Sequence, residues 1–260
     1  MKTIVIKLGG SILEHLDSTF FHDCQQLLQE GFYPIIVHGG GPMISEHLNK
    51  LGIQTRFING RRYTDQRNLQ HVIQSLAGDV NKQLVSRFIA EEISAIGISG
   101  IDLQLLKAQP KDPRFGFVGE VVDVHTEVLI TLLAAKWIPV IAPLGLDHNG
   151  QAYNINADEA ASAIADAVGA EKLVMVSDVP GVIIQGEKMD QLTTQQIDHY
   201  IQTGEITGGM IPKVQAGTTA LQGAISEVVI LSGHKKHPLT SQGTGTRLLS
   251  KGAGNHVIIS

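Results

Sequence analysis

Six short runs in this chain are apolar at nearly every position rather than at alternate ones: Thr3–Ile6, Pro34–Val37, Ser94–Ile98, Ile138–Ala142, Leu173–Val176 and Val228–Leu231. Strand side chains point to opposite faces in turn, so a continuously apolar strand must be covered on both faces. The intervals carry helical periodicity. Phe21, Cys24, Leu27 and Leu28 form one stripe, closed by Gly31 as a C′ residue. Leu69, Val72, Ile73, Leu76 and Val80 form a second; Ala161, Ile164, Ala165 and Val168 form a third, followed by Gly169. Alternation of buried strands and amphipathic helices predicts an α/β fold, a three-layer αβα sandwich with a mainly parallel central sheet. Leu103–Gln109 and Val118–Val124 flank a turn from Pro110 to Arg114, which predicts a β-hairpin inserted among the βα units near a substrate site. A boundary near residue 172 divides the chain into 1–172 and 173–260, two lobes on one continuous sheet.

Composition narrows the class. A formal net charge of −5 with no basic stripe argues against nucleic-acid binding. The single cysteine, Cys24, excludes an intramolecular disulfide or a cysteine-based zinc cluster, and its stripe places it on a buried helix face. Residues Met1–Ile6 run straight into a strand rather than a charged-then-apolar leader, and no run reaches the length of a membrane span. A cytoplasmic protein without membrane contact is expected.

The polar motifs fall where the strands end, the edge at which open α/β sheets bind ligands. Lys7-Leu8-Gly9-Gly10-Ser11 and His38-Gly39-Gly40-Gly41-Pro42 each follow a strand. Glycine lets backbone amides approach an anion, the following helix N-terminus adds partial positive charge, and Lys7 adds a full one. Pro42 fits the first helical position. Asn59-Gly60-Arg61-Arg62-Tyr63-Thr64-Asp65 offers an arginine fork for a carboxylate. In Asn154-Ile155-Asn156-Ala157-Asp158, Asn156 with Glu159 reads as a capping box, leaving Asn154 and Asp158 unexplained. Ser177-Asp178-Val179-Pro180-Gly181 reads as a turn. Thr207-Gly208-Gly209-Met210-Ile211-Pro212-Lys213 puts a lysine in a first helical turn, mildly unfavourable unless an anion is present. No Gly-Lys pair exists for a Walker A loop, and Ile44 stands where a dinucleotide fingerprint needs glycine. The eleven histidines, including His234 and His237, show no His-x-x-x-His pair on a credible helix and read as surface residues; no protein-held metal is predicted.

From Lys7 to about Gly245, these motifs in this order, with Gly97–Gly100 and Phe117-Val118-Gly119-Glu120-Val121 between them, resemble the amino acid kinase family. Within it, the likeness is to the branch acting on N-acetyl-L-glutamate in arginine biosynthesis. That resemblance implies ATP-dependent phosphorylation of the side-chain carboxylate, with Mg²⁺ bound through the nucleotide phosphates. It implies that Lys7 and Lys213 stabilise the transferring phosphoryl group and that Asp158 holds both ammonium groups. Gly40, Gly41, Arg62 and Asn154 would bind the acyl amino acid, with Arg62 on its α-carboxylate. Gly9, Gly10 and Gly209 would meet the ATP phosphates, Gly9 and Gly10 through their amides, and the segment from Leu173 to Lys213 would form the adenine and ribose pocket. Family members usually carry Gly-Lys-Asp-Gly where this chain has Gly100-Ile101-Asp102-Leu103-Gln104, so a reshaped substrate lid is expected. Feedback-inhibited members have an extra N-terminal helix, and only Met1–Thr3 precede the first strand here, so the expectation is an arginine-insensitive homodimer. Two other readings stay open: a kinase of another acylated amino-acid carboxylate, of the aminoadipate type, and a non-catalytic amino-acid-binding module on the same fold.

Overall fold

All six apolar runs become strands of one sheet in the computed structural model, which describes residues 1–58, 61–241 and 245–250. The chain begins with β1 (Lys2–Leu8), α1 (Ser18–Gln29), β2 (Phe32–His38) and α2 (Gly41–Lys50). A two-stranded ribbon follows, β3 (Phe57–Ile58) with β4 (Arg61–Arg62). Next come α3 (Gln66–Ile73), a π-helical turn at Gln74–Val80, α4 (Asn81–Ala90) and β5 (Ala95–Ser99). Then β6 (Leu106–Pro110), β7 (Val118–Val124), α5 (Thr126–Ala134), β8 (Ile138–Ala142), β9 (Leu144–Leu146) and β10 (Ala152–Ile155) lead to α6 (Ala157–Ala167) and β11 (Lys172–Ser177). A small hairpin, β12 (Ile183–Ile184) with β13 (Glu187–Lys188), precedes β14 (Gln191–Thr193), α7 (Thr194–Gln202), α8 (Met210–Ala220), β15 (Glu227–Ser232) and β16 (Thr246–Leu249).

Among the described residues the central sheet has eight strands in the order β14-β16-β15-β11-β1-β2-β8-β5. All neighbours are parallel except β15 with β16. Burial on both faces explains the continuous apolar runs. Ile4, Ile6 and Val174 face a core layer with Phe20, Phe21, Cys24 and Phe88, whereas Val5, Leu173 and Met175 face the opposite layer with Ala161, Ile164 and Val214. The rings of Phe20, Phe21 and Phe88 meet edge-on, with Phe21 and Phe88 centroids 4.8 Å apart. Gly31 and Gly169 take positive φ (83° and 59°) just beyond α1 and α6, as the helix-ending role requires.

Several expectations need correction. Beyond β15 the sheet is extended by two further strands, β16 and then β14 at the edge, of four and three residues, too short to stand out as apolar runs. The hairpin exists, but its first strand begins at Leu106; Leu103 and Gln104 sit at φ 50° and 52°, outside any strand. Nor is it free-standing, since β6 and β7 close with β9 and β10 into a four-stranded barrel. Asn154 lies within β10, just before the cap of α6. Pro42 is the second residue of α2, after Gly41. The stripe Leu69–Val80 is not one α-helix but crosses the π-helical turn. The tail at 251–260 and Asn59-Gly60 lie outside the described residues.

Candidate active site

A cavity of about 320 Å³ opens at the carboxyl ends of β1, β2 and β11. That is the low end of the range for small-ligand sites. Lys7, Gly9, Gly10, Gly40, Gly41, Arg62, Asn154, Asp158 and Lys213 all line it. These nine candidates come from sequence positions up to 206 residues apart, and the sheet order brings them together. Gly209 is the exception. It is exposed at the start of α8 and lines the adjoining cavity, while its carbonyl accepts from Lys213 Nζ at 3.3 Å.

The two glycine loops touch. A Cβ on Gly10 would lie 2.9 Å from Gly41 N and 3.0 Å from Gly40 N. Backbone this close excludes any side chain at Gly10. The Gly9 amide, expected to face phosphate, instead donates to Val176 O at 2.9 Å, and the Gly39 amide donates to Leu8 O at 2.8 Å. Among the described residues no acceptor takes the amides of Gly10, Gly40 or Gly41. Three free donors beside a helix N-terminus make an anion cradle.

Lys7 is 5% exposed, and its Nζ lies 2.7 Å from Asp158 Oδ1. Asp158 enters from the first turn of α6, whose start is fixed by Asn156: its side-chain oxygen accepts from the amides of Asp158 and Glu159. The reciprocal half of the expected capping box is absent, because Glu159 turns to Arg61 and Lys111 instead. Lys213 is half-buried in the first turns of α8. Asp178 stands near it. The Ser177 hydroxyl donates to Asp178 Oδ1 at 2.9 Å, and this bond, with the Lys213 charge and the Ser11 hydroxyl assisting, holds the carboxyl below its usual range. The sequence reads the motif containing Asp178 as a turn; its strand-end position beside a cationic helix start is the further signal.

Arg62 is buried, which pushes its guanidinium below its usual pKa. Its Nη2 donates to Gly41 O at 2.8 Å and Ser45 Oγ at 2.7 Å, and its plane lies 4.8 Å from the Phe57 ring centroid. Nη1 is buried without a partner among the described residues. A held guanidinium with donors to spare suits a planar carboxylate. Asn154 Nδ2 donates to Thr64 Oγ1 at 3.2 Å, and Thr64 Oγ1 donates to Arg62 O at 3.1 Å, tying the barrel to the arginine strand.

Among the described residues, His38 departs most from the expectation of surface histidines. His38 is fully buried: its Nδ1 meets Gly39 O at 2.9 Å and its Nε2 meets Asn81 Nδ2 at 3.1 Å. Since the carbonyl can only accept and the amide only donate, the proton sits on Nδ1. Burial lowers its pKa to about 4, so the ring is neutral. Asn81 also donates to Val140 O at 2.9 Å, and a Cβ on Gly97 would come within 2.0 Å of its Oδ1. Gly97 is thus small to admit Asn81. Sequence periodicity could not find this network, because the π-helical turn sets the phase at which Asn81 enters the sheet.

The family model for the amino acid kinase family matches residues 2–232. An acetylglutamate kinase of Geobacillus stearothermophilus is 48% identical over 233 residues, covering 89% of this chain and 90% of the relative. One from Bacillus pumilus is 43% identical over 251 residues, covering 96% and 97%. Among solved structures, smu.665 from Streptococcus mutans UA159 superposes with a TM-score of 0.88 at 30% identity, covering 95% of this chain and 98% of that one. The paired lysine and aspartate, the touching glycine loops and the mainly parallel sheet thus lie within a match spanning most of the chain, and the chain belongs to the amino acid kinase family.

Proposed function

We propose that this chain phosphorylates the side-chain carboxylate of N-acetyl-L-glutamate with ATP, the second step of arginine biosynthesis. The observation that carries the reading is the cavity in which Lys7, held by Asp158, meets the free amides of Gly10, Gly40 and Gly41 opposite the buried fork of Arg62. Two relatives over 40% identical along most of their length are acetylglutamate kinases.

The chemistry follows from charge. A glutamate side chain has an unperturbed pKa near ~4.3, so at neutral pH it is already a nucleophile and needs no base. His38, neutral and walled off behind Gly39, does not line the cavity. The obstacle is repulsion between two anions. Lys7 at the carboxyl end of β1 and Lys213 on α8 flank the path of the phosphoryl group, and the glycine amides donate hydrogen bonds to its oxygens. The carboxylate oxygen forms a bond to the γ-phosphorus as the bond to ADP breaks, giving an acyl phosphate and ADP. Asp158 keeps Lys7 oriented, and Arg62 with Asn154 holds the acyl amino acid for in-line attack. Asp158 is taken up by Lys7, and the other charged side chains lining the cavity are the cations Arg61, Arg62 and Lys213, suited to phosphate oxygens rather than to a metal, which fits Mg²⁺ arriving on the nucleotide. When bound, Mg²⁺ neutralises charge on the β- and γ-phosphates. We assign the acyl amino acid to residues 1–172 and the nucleotide to 173–260, with Gly9 lining the phosphate floor and Gly209 at its margin. A cytoplasmic homodimer is the state this reading carries.

The test is ADP release or hydroxamate formation with Mg·ATP, comparing N-acetyl-L-glutamate, free glutamate and N-acetylaspartate, beside Lys213→Ala. Turnover confined to acetylglutamate and reduced by orders of magnitude in the variant supports the proposal. Turnover of none of the three overturns it.

A further inference from the structure

Glu159 joins three segments that enclose the site. Its Oε1 accepts from Arg61 Nη2 at 2.5 Å, and its Oε2 accepts from Lys111 Nζ at 2.9 Å. Arg61 lies on β4 beside Arg62; Lys111 follows β6 in the hairpin turn; Glu159 sits in the first turn of α6 beside Asp158. The three side chains are 25%, 24% and 28% exposed, so solvent screens the cluster only in part.

Backbone bonds make the ribbon and the hairpin one flap. The Thr64 amide donates to Phe115 O at 3.0 Å, and the Phe117 amide donates to Thr64 O at 2.7 Å. Gly116 allows this approach: at φ 70°, a Cβ there would lie 2.3 Å from Thr64 O. The ion cluster then ties that flap to the helix carrying Asp158. Two cations of the flap share one carboxylate on α6, so without the charge on Glu159 the flap loses its attraction to that helix and its own two cations face each other unneutralised. Glu159 itself lines the adjoining cavity and not the one containing Lys7.

We propose that Glu159 is a positioning residue for capture of the acyl amino acid. By neutralising Arg61 and Lys111 it holds the flap against α6 and sets how tightly Arg62 grips its ligand, without entering phosphoryl transfer. This rests on the function proposed above.

Steady-state kinetics of Glu159→Gln, Arg61→Met and the double variant test it. The expected result for Glu159→Gln is a KM for acetylglutamate about fivefold to twentyfold higher, the scale of one to two partly buried ion pairs. Its kcat stays within about twofold and its KM for ATP does not move. The double variant is no worse than Glu159→Gln, since both disable one cluster. Added salt raises the KM in both proteins, and more steeply in the wild type, so the two values converge. An unchanged KM, or a kcat that falls with it, overturns the proposal. If the wild type turns over no acyl amino acid, the activity reading fails separately, and amide hydrogen exchange in the free protein decides the clasp. Faster exchange at Thr64 and Phe117 in Glu159→Gln supports it; equal rates overturn it.

Discussion

Lys7 Nζ stands 2.7 Å from Asp158 Oδ1, and the pair fastens the first strand to the helix that enters from the barrel. Both side chains are about nine-tenths buried, so each partner is stranded if the other is removed. Lys7→Met is expected to lower kcat by about 10²–10³-fold, the scale of losing one preorganised charge donor. Asp158→Ala should cost about 3 kcal/mol in a urea melt, because the ammonium is left buried and alone. The double variant Lys7→Met with Asp158→Ala should recover part of that stability and none of the activity. Full additivity of the two losses in the melt would contradict the pairing.

Much of this site was legible in the sequence because strand-end motifs converge once a parallel sheet is accepted. Gly10, Gly40, Arg62 and Asp158 each followed from a local rule of anion binding or unexplained polarity. What stayed hidden depends on phase and distance. Asn81 reaches His38 only because a wide helical turn shifts its direction, and the Gly9 amide bonds across the sheet to a strand residue more than 160 positions away. The barrel was hidden for a similar reason: β9 and β10, of three and four residues, acquire meaning only by closing on β6 and β7.

Arg62→Lys keeps the charge but loses the planar fork that bonds Gly41 O and Ser45 Oγ while leaving Nη1 free. We expect KM for acetylglutamate to rise by about tenfold to a hundredfold, with KM for ATP unmoved. Equal KM values for Lys and Arg at this position would show that only net charge is read there.

His38 supplies a pH dependence whose sign is fixed by burial. Its pKa is near 6.5 unfolded and about 4 folded, so between those values the unfolded chain binds the extra proton. Stability is complete above pH 6.5 and declines as pH falls towards 4, by about 3 kcal/mol in all. Chemical denaturation across that window should give a steeper slope for the wild type than for His38→Gln. Parallel slopes would remove the imidazole from the account.

Gly10→Ala places a methyl group 2.9 Å from both Gly41 N and Pro42 Cδ, so the two loops must part. We expect turnover to fall by about a hundredfold, as for loss of an oxyanion donor. Gly41→Ala, where a Cβ meets nothing within 4 Å, should bind nucleotide nearly as the wild type does. Comparable nucleotide affinity in Gly10→Ala, by calorimetry, would argue against the cradle.

The committed amides of Gly9 and Gly39 carry a consequence for motion. Each stitches its loop to the end of an adjacent strand, one to β11 and the other to β1, so the cradle is part of the sheet's own lattice. The floor of the reaction is therefore an anvil. Any opening and closing is expected in the ribbon, the barrel and α8, which reach the cavity from outside that lattice, while the amides of Gly10, Gly40 and Gly41 are expected to keep their spacing.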